Sequence, residues 1–554
     1  MIPRISAVPA WRFSSQYVLA ACVGLTLALA LAGEACSQPA SFEQVVERPI
    51  PGDPVMIDSG QIAGKLLSTG VKAYFGVPFA AAPVQQLRWR EPQPVPPWRG
   101  VLQADRLAPE CIQALRAHDI NNYFGEEASS EDCLYLNIWA PRAAKGLPVM
   151  VWIHGGGWTN GSAAMPLYWG DRLARRGVIV VTIAYRLGPF GFLAYPELSA
   201  ESAHRSSGNY GLMDQIAALK GVQHTITAFG GDPARVTIAG QSAGAMSVSL
   251  LMSSPLAKGL FQRAIGESGG VFEPFELAPG YMLANAEHDG EAYAASLGAR
   301  TLAQLRALPA GELLKGKANA ISHPVLEPDL LPRSPYDVFA AGAESDVPVL
   351  IGSNEDEARS LADLKSVTAA DFTAELEKSW GKLPPPIVAA YPYTDDAQAK
   401  AARADLERDL RFGWDMWAWA RLQAASAKSD VYYYHFTRKP PFPSGSIYDG
   451  WGAGHFAELW YVFDHLDQEK WPWTPADRKL ADAMAGYWTN FAKSGNPNGT
   501  GLAPWPRFET RDAQVQMLGD PIATGGVADL RTLQVFDAVY AQVRGAPFAA
   551  GAGR

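Results

Sequence analysis

Val236-Thr-Ile-Ala-Gly240-Gln241-Ser242-Ala243-Gly244-Ala245 reads as a short β-branched strand, a sharp turn and the start of a helix, which the apolar run to Met252 continues. Glycines two before and two after Ser242 remove the Cβ atoms that would clash in such a turn. The serine hydroxyl then stands at the tip. The N–H of Ala243 opens the helix and points where an oxyanion would form. This is the G-x-S-x-G nucleophile elbow in the strand–turn–helix context it needs. A bare G-x-S-x-G also arises by chance in a glycine-rich chain, so the rest of the sequence must supply its partners.

The surrounding pattern is α/β. Val149-Met-Val-Trp-Ile153 and Val178-Ile-Val-Val-Thr-Ile183 are continuous apolar runs, as in parallel strands buried on both faces. Leu134 to Trp139, Val347 to Ile351 and Val431 to Tyr434 read as further strands. Val55-Met-Ile and Gly64-Lys-Leu-Leu-Ser make short strands around the turn Asp58-Ser59-Gly60. Asp214 to Ala228 has helical spacing, with Ile216, Leu219, Val222 and Ile226 on one face. Strands separated by helical stretches imply βαβ units and a mainly parallel central sheet flanked by helices. Segments 272–345 and 361–425 read as excursions capping a site. Phe412, Trp414, Trp417 and Trp419 cluster near the second and are read as packing of the cap.

The chain has 554 residues and a formal net charge of −9, with acidic and basic residues interspersed, so no basic patch points to nucleic acid. Residues 1–35 have the form of an export signal. Arg4 and Arg12 precede an apolar stretch from Val18 to Ala32 that is short for a membrane span, and Gly33-Glu-Ala35 or Ala30-Leu-Ala32 offers a cleavage site. Residues 36–554 then form one domain, periplasmic or secreted, with no stable membrane span expected. Lipid anchoring through Cys36 is the minor alternative, since Gly33 and Glu34 fit a lipoprotein signal poorly. Cys111 and Cys133 remain as a pair. In an exported chain they are read as one disulfide, the alternative being two buried free thiols.

His154-Gly-Gly-Gly-Trp158 follows the strand 149–153 directly. Consecutive glycines let a backbone approach a substrate and turn its N–H groups inward, as in the loop that completes an oxyanion hole. Gly156, Gly157 and Ala243 are assigned as the three donors. Ser242 needs a base, and in the expected order acid and histidine follow it. His288 and His323 lie in the excursions, and His435 sits in an aromatic strand. His455, in the loop Gly452-Ala-Gly-His-Phe456, is the chosen base, with His465 as fallback. The acid belongs in Gly352-Ser-Asn-Glu-Asp-Glu357, where Glu355, Asp356 and Glu357 compete.

The chain resembles the type-B carboxylesterases, the family of bacterial para-nitrobenzyl esterases, animal carboxylesterases and cholinesterases. The stretches that carry the likeness are Ser130 to Asn137, His154 to Trp158, Ala184 to Leu193, Gly208 to Gln215 and Phe229 to Pro233. It continues through Gly240 to Ala245, Gly352 to Glu357, Gly454 to Leu459 and Phe491 to Asn498. These run in family order from about residue 55 to about 510. The resemblance implies an α/β-hydrolase fold with a gorge-like site. It puts the acid on Glu357, the base on His455, a disulfide on Cys111–Cys133 and a structural ion pair on Arg88 and Glu131.

Three departures stand out. Gln241 replaces the family's usual Glu before the nucleophile, which weakens any case for a cationic substrate. Ala358 replaces the glycine after the acid, for which a small backbone adjustment and no change of role are expected. The loop 111–133 has no Trp, so capture of choline by cation–π contact is not supported there.

The expectation is an exported serine ester hydrolase acting through an acyl-enzyme on a small to medium carboxylic ester, with no metal or cofactor. The alternatives are the same machinery turned to carbamates, amides or lactones, a lipase, and a non-catalytic binding module. Such modules typically lack the nucleophile, whereas here all three triad residues are present.

Overall fold

The structure, a computed structural model, describes residues 50–114, 128–316 and 321–545. The export-signal reading of 1–35, together with Cys36, lies outside the described residues. The central sheet has eleven strands. In chain order they are β1 (Lys65–Leu66), β2 (Lys72–Pro78), β3 (Tyr135–Ala140), β4 (Leu147–Ile153), β5 (Ile179–Ile183) and β6 (Gly231–Gln241). After them come β7 (Arg263–Glu267), β8 (Val349–Asn354), β9 (Val431–Phe436), β10 (Val515–Leu518) and β11 (Ala523–Gly525). Their spatial order is β11-β10-β9-β8-β7-β6-β4-β5-β3-β2-β1. Every pairing from β10 across to β5 is parallel, and the pairings outside that block are antiparallel.

The apolar runs are continuous because both sheet faces are covered. Val149, Val151 and Ile153 of β4 enter one core, shared with helices α1 (Tyr210–Thr225), α2 (Ala243–Ser253), α3 (Trp414–Ser426) and, beyond it in the chain, Leu533, Phe536 and Tyr540. Met150 and Trp152 enter the other, with Leu480, Met484 and Trp488 of helix α4 (Pro475–Ser494). Helix α4 opens with a capping box, in which Thr474 and Asp477 bond reciprocally, and closes on Gly495 in a left-handed conformation.

Strands β7, β10 and β11 went unread in the sequence. Strand β7 reads Arg-Ala-Ile-Gly-Glu, with a charge at each end and a glycine inside. Gly266 is required there because a Cβ would come within 2.6 Å of the Trp419 ring packed on the sheet.

Three features brace the loops near the elbow. Cys111 and Cys133 form a disulfide with Cα atoms 5.0 Å apart. Arg88 meets Glu131 bidentately, both contacts at 2.6 Å. Arg186, just past β5, is held by Asp214 of α1 through its backbone N–H (2.9 Å), Nε (2.8 Å) and a terminal nitrogen (2.8 Å). Both side chains are buried. Removing one partner of such a pair leaves an uncompensated buried charge, which costs about 3–5 kcal/mol. Asp214→Ala is therefore expected to lower the urea midpoint of unfolding by that equivalent, and a midpoint unchanged from wild type would refute the assignment.

Candidate active site

The candidate residues collect at the carboxyl ends of the parallel strands: the serine after β6, the glycine loop after β4, the acid after β8 and the histidine after β9. Ser242 has φ 58° and ψ −128°, between the last residue of β6 and the first of α2. This left-handed backbone costs about 1–3 kcal/mol for a non-glycine residue and persists only where its surroundings enforce it. They do so at close range. The Ser242 N–H donates to the Glu267 carbonyl (2.8 Å) and its carbonyl accepts from Met246 N–H (2.9 Å). A Cβ on Gly240 would lie 2.9 Å from the Ile153 carbonyl oxygen, and one on Gly244 only 2.0 Å from it. A Cβ on Gly240 would also meet the Gly244 carbonyl carbon at 2.5 Å, so the two glycines pack on each other as well as on that oxygen at the end of β4.

The loop that leaves β4 turns back over the elbow. Gly156 (φ 106°) and Gly157 (φ 61°) take left-handed conformations. The Gly156 carbonyl accepts from the N–H groups of Thr159 (3.1 Å) and Asn160 (3.2 Å). A Cβ on Gly155 would meet the Ser242 Cβ at 2.9 Å. The Trp158 indole N–H donates to Ser247 Oγ (3.0 Å), which in turn donates to the Ala243 carbonyl (2.8 Å). Loop and nucleophile helix are therefore bonded directly. His154 is buried, which pushes its imidazole down to about 4. Its Nδ1–H donates to the Gly155 carbonyl (2.8 Å), and its ring stacks on Tyr185. Gly156, Gly157 and Ser242 are half-buried where their neighbours are fully buried. The N–H of Ala243 heads α2 and has no carbonyl one turn before it in the helix.

His455 Nδ1 lies 2.6 Å from Glu357 Oε2, with both side chains buried. The other Glu357 oxygen accepts from Asn354 N–H (2.7 Å). The two alternatives to Glu357 have other partners: Glu355 faces Lys439, and Asp356 pairs with Arg359 (2.7 Å). Asp356 also grips the histidine loop, accepting from Ala453 N–H (2.9 Å) and donating its own N–H to the Ala453 carbonyl (3.0 Å). Asn354 Nδ2 donates to the Gly454 carbonyl (2.9 Å), and His455 N–H donates to Ser360 Oγ (3.0 Å). The fallback His465 bonds to Leu167 and faces Asp171, and His288 is exposed beside Glu291. Ala358 lies in the short turn Glu357–Ser360 without a positive φ, so its Cβ brings no strain.

On its other sides His455 meets residues whose roles the sequence left open. Gln241 Nε2 sits 3.3 Å from Nε2 of the ring and 3.4 Å from Nδ1. Phe412 stacks on the imidazole, centroids 4.5 Å apart and planes 8° from parallel. The cap-packing reading of Phe412 holds for its burial but misses this partner. The π-helical turn Asp409–Gly413, which carries Phe412 just ahead of α3, left no mark on the sequence pattern.

Behind the elbow lies a buried acidic cluster. Glu267 pairs in register with Gln241 across β6 and β7. Its buried carboxyl accepts from the Trp488 indole N–H (2.8 Å), and burial pushes it up to about 8. Glu458 accepts from Asn354 Nδ2. Burial, then the neighbouring Glu267 and Glu357, raise it well above the carboxylate range. Sequence reasoning passed over Asn354, Glu267 and Glu458. Glu458, a lone acid between Phe456-Ala457 and Leu459-Trp460, was the available signal.

Residues 52–527 match the sequence profile of the carboxylesterase family. The chain belongs to that family. It is 38% identical over 505 residues to a fumonisin B1 esterase of Sphingopyxis macrogoltabida, covering 85% of this chain and 88% of that one. It is 37% identical over 495 residues to the para-nitrobenzyl esterase of Bacillus subtilis, covering 83% and 95%. Among solved structures, a PNB esterase superposes with a TM-score of 0.75 at 34% identity, covering 87% of this chain and 99% of that one. The fold is that of the α/β-hydrolases, and the chain is a carboxylic ester hydrolase.

The raised carboxyl of Glu267 has a consequence for stability. The folded chain keeps that proton to about 8, whereas an ordinary Glu releases it near 4.5. Between those values the folded state holds more protons than the unfolded one, so this group's contribution falls as pH rises and levels off above about 8. Glu267→Gln removes the titration. Its melting temperature is expected to vary less than that of wild type between pH 4.5 and 8, with the gain largest at pH 8. Parallel curves for the two proteins would show that Glu267 titrates normally.

Proposed function

We propose that Ser242, His455 and Glu357 are the nucleophile, general base and orienting acid of a serine carboxylesterase, with the N–H groups of Gly156, Gly157 and Ala243 as its oxyanion donors. The observation that carries the reading is the buried 2.6 Å contact from Glu357 to His455 Nδ1, beside a ring that also touches Gln241, the residue next to Ser242. Glu357 accepts the hydrogen bond from Nδ1–H, which keeps that proton on the ring and leaves Nε2 as the base. Ser242 Oγ attacks the ester carbonyl and its proton passes to His455 Nε2. The carbonyl π electrons move onto oxygen, where the loop and helix N–H groups receive the charge. Collapse expels the alcohol, which takes the proton from His455. A water deprotonated by His455 then cleaves the acyl-enzyme, and Ser242 regains its proton.

The substrate we infer is an uncharged or anionic carboxylic ester of small to medium size. The neutral amide of Gln241 beside the base gives a cationic alcohol group no carboxylate to face. Ester hydrolysis by the fumonisin B1 and para-nitrobenzyl esterase relatives is consistent with this class. We further infer export, with residues 36–554 as one catalytic domain. The form of residues 1–35 supports this, and the Cys111–Cys133 disulfide suits an oxidising compartment. Among the described residues no helix is long and apolar enough to cross a membrane.

The test is hydrolysis of para-nitrophenyl acetate, butyrate and octanoate by wild type and Ser242→Ala. The variant should lose at least about a thousandfold in kcat/KM, since triad serines act as a unit with their base. It should also fail to react with a fluorophosphonate that labels wild type. Equal rates in the two proteins would refute the assignment, and the chain-length profile of wild type sizes the acyl pocket.

A further inference from the structure

The glycine loop needs an outer support as well as the elbow beneath it, and one buried side chain provides it. Gln113 is 3% exposed and lies two residues beyond Cys111. Its Oε1 accepts from Gly161 N–H (2.9 Å), and its Nε2 donates to the Gly161 carbonyl (2.8 Å) and to the Cys111 carbonyl (3.2 Å). The side-chain amide thus pairs with both backbone groups of one residue, as a peptide unit does across a sheet. Gly161 is where the loop returns onto its own start. With φ +117°, it packs so closely that a Cβ would lie 2.4 Å from His154 Nδ1 and 2.5 Å from the Gly155 carbonyl oxygen. Gly155 in turn rests against Ser242. The contacts run without a gap from the disulfide through Gln113, Gly161 and Gly155 to the elbow.

The anchor is stiff. Glu110–Cys111 pairs with Ser129–Ser130 as a small parallel ladder, and Cys133 stands two residues before β3. Gly156 and Gly157 lie inside the turn that Gln113 closes. Neither carries a side chain that could anchor it, so their N–H directions follow from how the rest of the turn holds their backbone, including the Thr159 and Asn160 N–H bonds to the Gly156 carbonyl. Asn137 and Thr182 also hold the far end of the turn, at the Ala163 carbonyl (3.2 and 2.7 Å), but the paired bonds to Gln113 are what tie it to the disulfide.

We propose that Gln113 is a positioning residue for the oxyanion loop: it touches no reacting atom, and it sets where the Gly156 and Gly157 N–H groups point by clamping Gly161 to the disulfide anchor. This rests on the oxyanion assignment made above. Donors aimed at the developing oxyanion act mainly in the transition state. Loosening the clamp should therefore lower kcat and leave substrate affinity nearly intact. A displacement of about 1 Å at such a site costs on the order of a hundredfold in rate.

The experiment compares wild type, Gln113→Met and Gln113→Asn, with Ser242→Ala as a control. Met keeps the length of the side chain and removes both bonds to Gly161. Asn keeps the amide and withdraws it by one methylene, which guards against a Met variant that does not fold. Functional sites are first counted by stoichiometric inactivation with diethyl para-nitrophenyl phosphate. The kcat and KM for para-nitrophenyl butyrate are then measured per site. An alkyl trifluoromethyl ketone supplies the discriminating readout. Ser242 Oγ adds to its carbonyl carbon, the serine proton moves to His455, and the resulting hemiketal oxyanion occupies the hole.

Per functional site, kcat should fall by about 10- to 100-fold in Gln113→Met and by less in Gln113→Asn, with KM within about threefold of wild type. The ketone's Ki should rise by the same factor as kcat/KM falls. A folded variant with wild-type kcat and Ki overturns the proposal. So does a fall in functional sites whose survivors turn over normally, which is the signature of a purely structural residue. If Ser242→Ala matches wild type, the oxyanion assignment fails and this inference falls with it. If Ser242→Ala is dead and the Gln113 variants are normal, only this inference fails.

Discussion

The carbonyl oxygen of Ile153 is the point on which the site turns. It ends the central strand β4, and both glycines of the serine motif pack against it at distances no Cβ would tolerate. That contact forces the chain to leave β6 and enter α2 without spreading, which in turn holds Ser242 in its left-handed conformation. The same strand end launches the glycine loop, so Ser242 and the loop glycines share one origin. Their relative position is therefore a property of two adjacent parallel strands, registered residue by residue from Val236 against Val149 to Gly240 against Ile153. A rigid sheet edge is a better reference for sub-ångström geometry than any loop.

Charge around the base follows from burial. Three glutamates lie near His455 in a volume that water does not reach. An isolated carboxylate there is prohibitively expensive, and burial raises the carboxyls of both Glu267 and Glu458. Glu357 has both an imidazole and a backbone N–H to accept from. Gln241 fits this balance. It stands beside Glu267 across the sheet, and a carboxylate in its place would add a fourth acid to a pocket already short of donors. The amide supplies bulk and polarity next to the imidazole without adding charge.

The sheet was legible in the sequence wherever burial on both faces leaves an unbroken apolar run, as in Val149–Ile153 and Ile179–Ile183. It was illegible at Arg263–Glu267, since a strand holding a buried acid and a glycine under a tryptophan follows neither alternation nor an apolar run. The elbow and the glycine loop were legible because their chemistry is written in consecutive residues. The choice among Glu355, Asp356 and Glu357 was not, on local grounds. Three adjacent acids look alike until the fold turns one toward an imidazole 98 residues away and the others toward Lys439 and Arg359. The contacts of Phe412 and Gln113 were hidden for the same reason, since each depends on a partner brought near by the tertiary fold.

That long reach explains how the base is held. His455 lies in a segment with no strand of its own, preceded by Gly452, whose φ of +61° lets the backbone pass where a Cβ would meet the Asp356 carboxylate at 2.3 Å. Residues 354–360 grip this segment at successive points: Asp356 on Ala453, Asn354 on Gly454, Ser360 on the His455 N–H and Glu357 on the imidazole. The loop that carries Glu357 is thus also the scaffold of His455. Glu357 and His455 are thus held to each other by the 2.6 Å contact and by the bonds around it. What fixes the pair against the elbow is then the side packing, Gln241 along the ring and Phe412 stacked on its plane. The site accordingly divides into two halves, Ser242 with the glycine loop on β4 and β6, and Glu357 with His455 held from the end of β8. Their alignment depends on the contacts that Gln241 and Phe412 make with the imidazole.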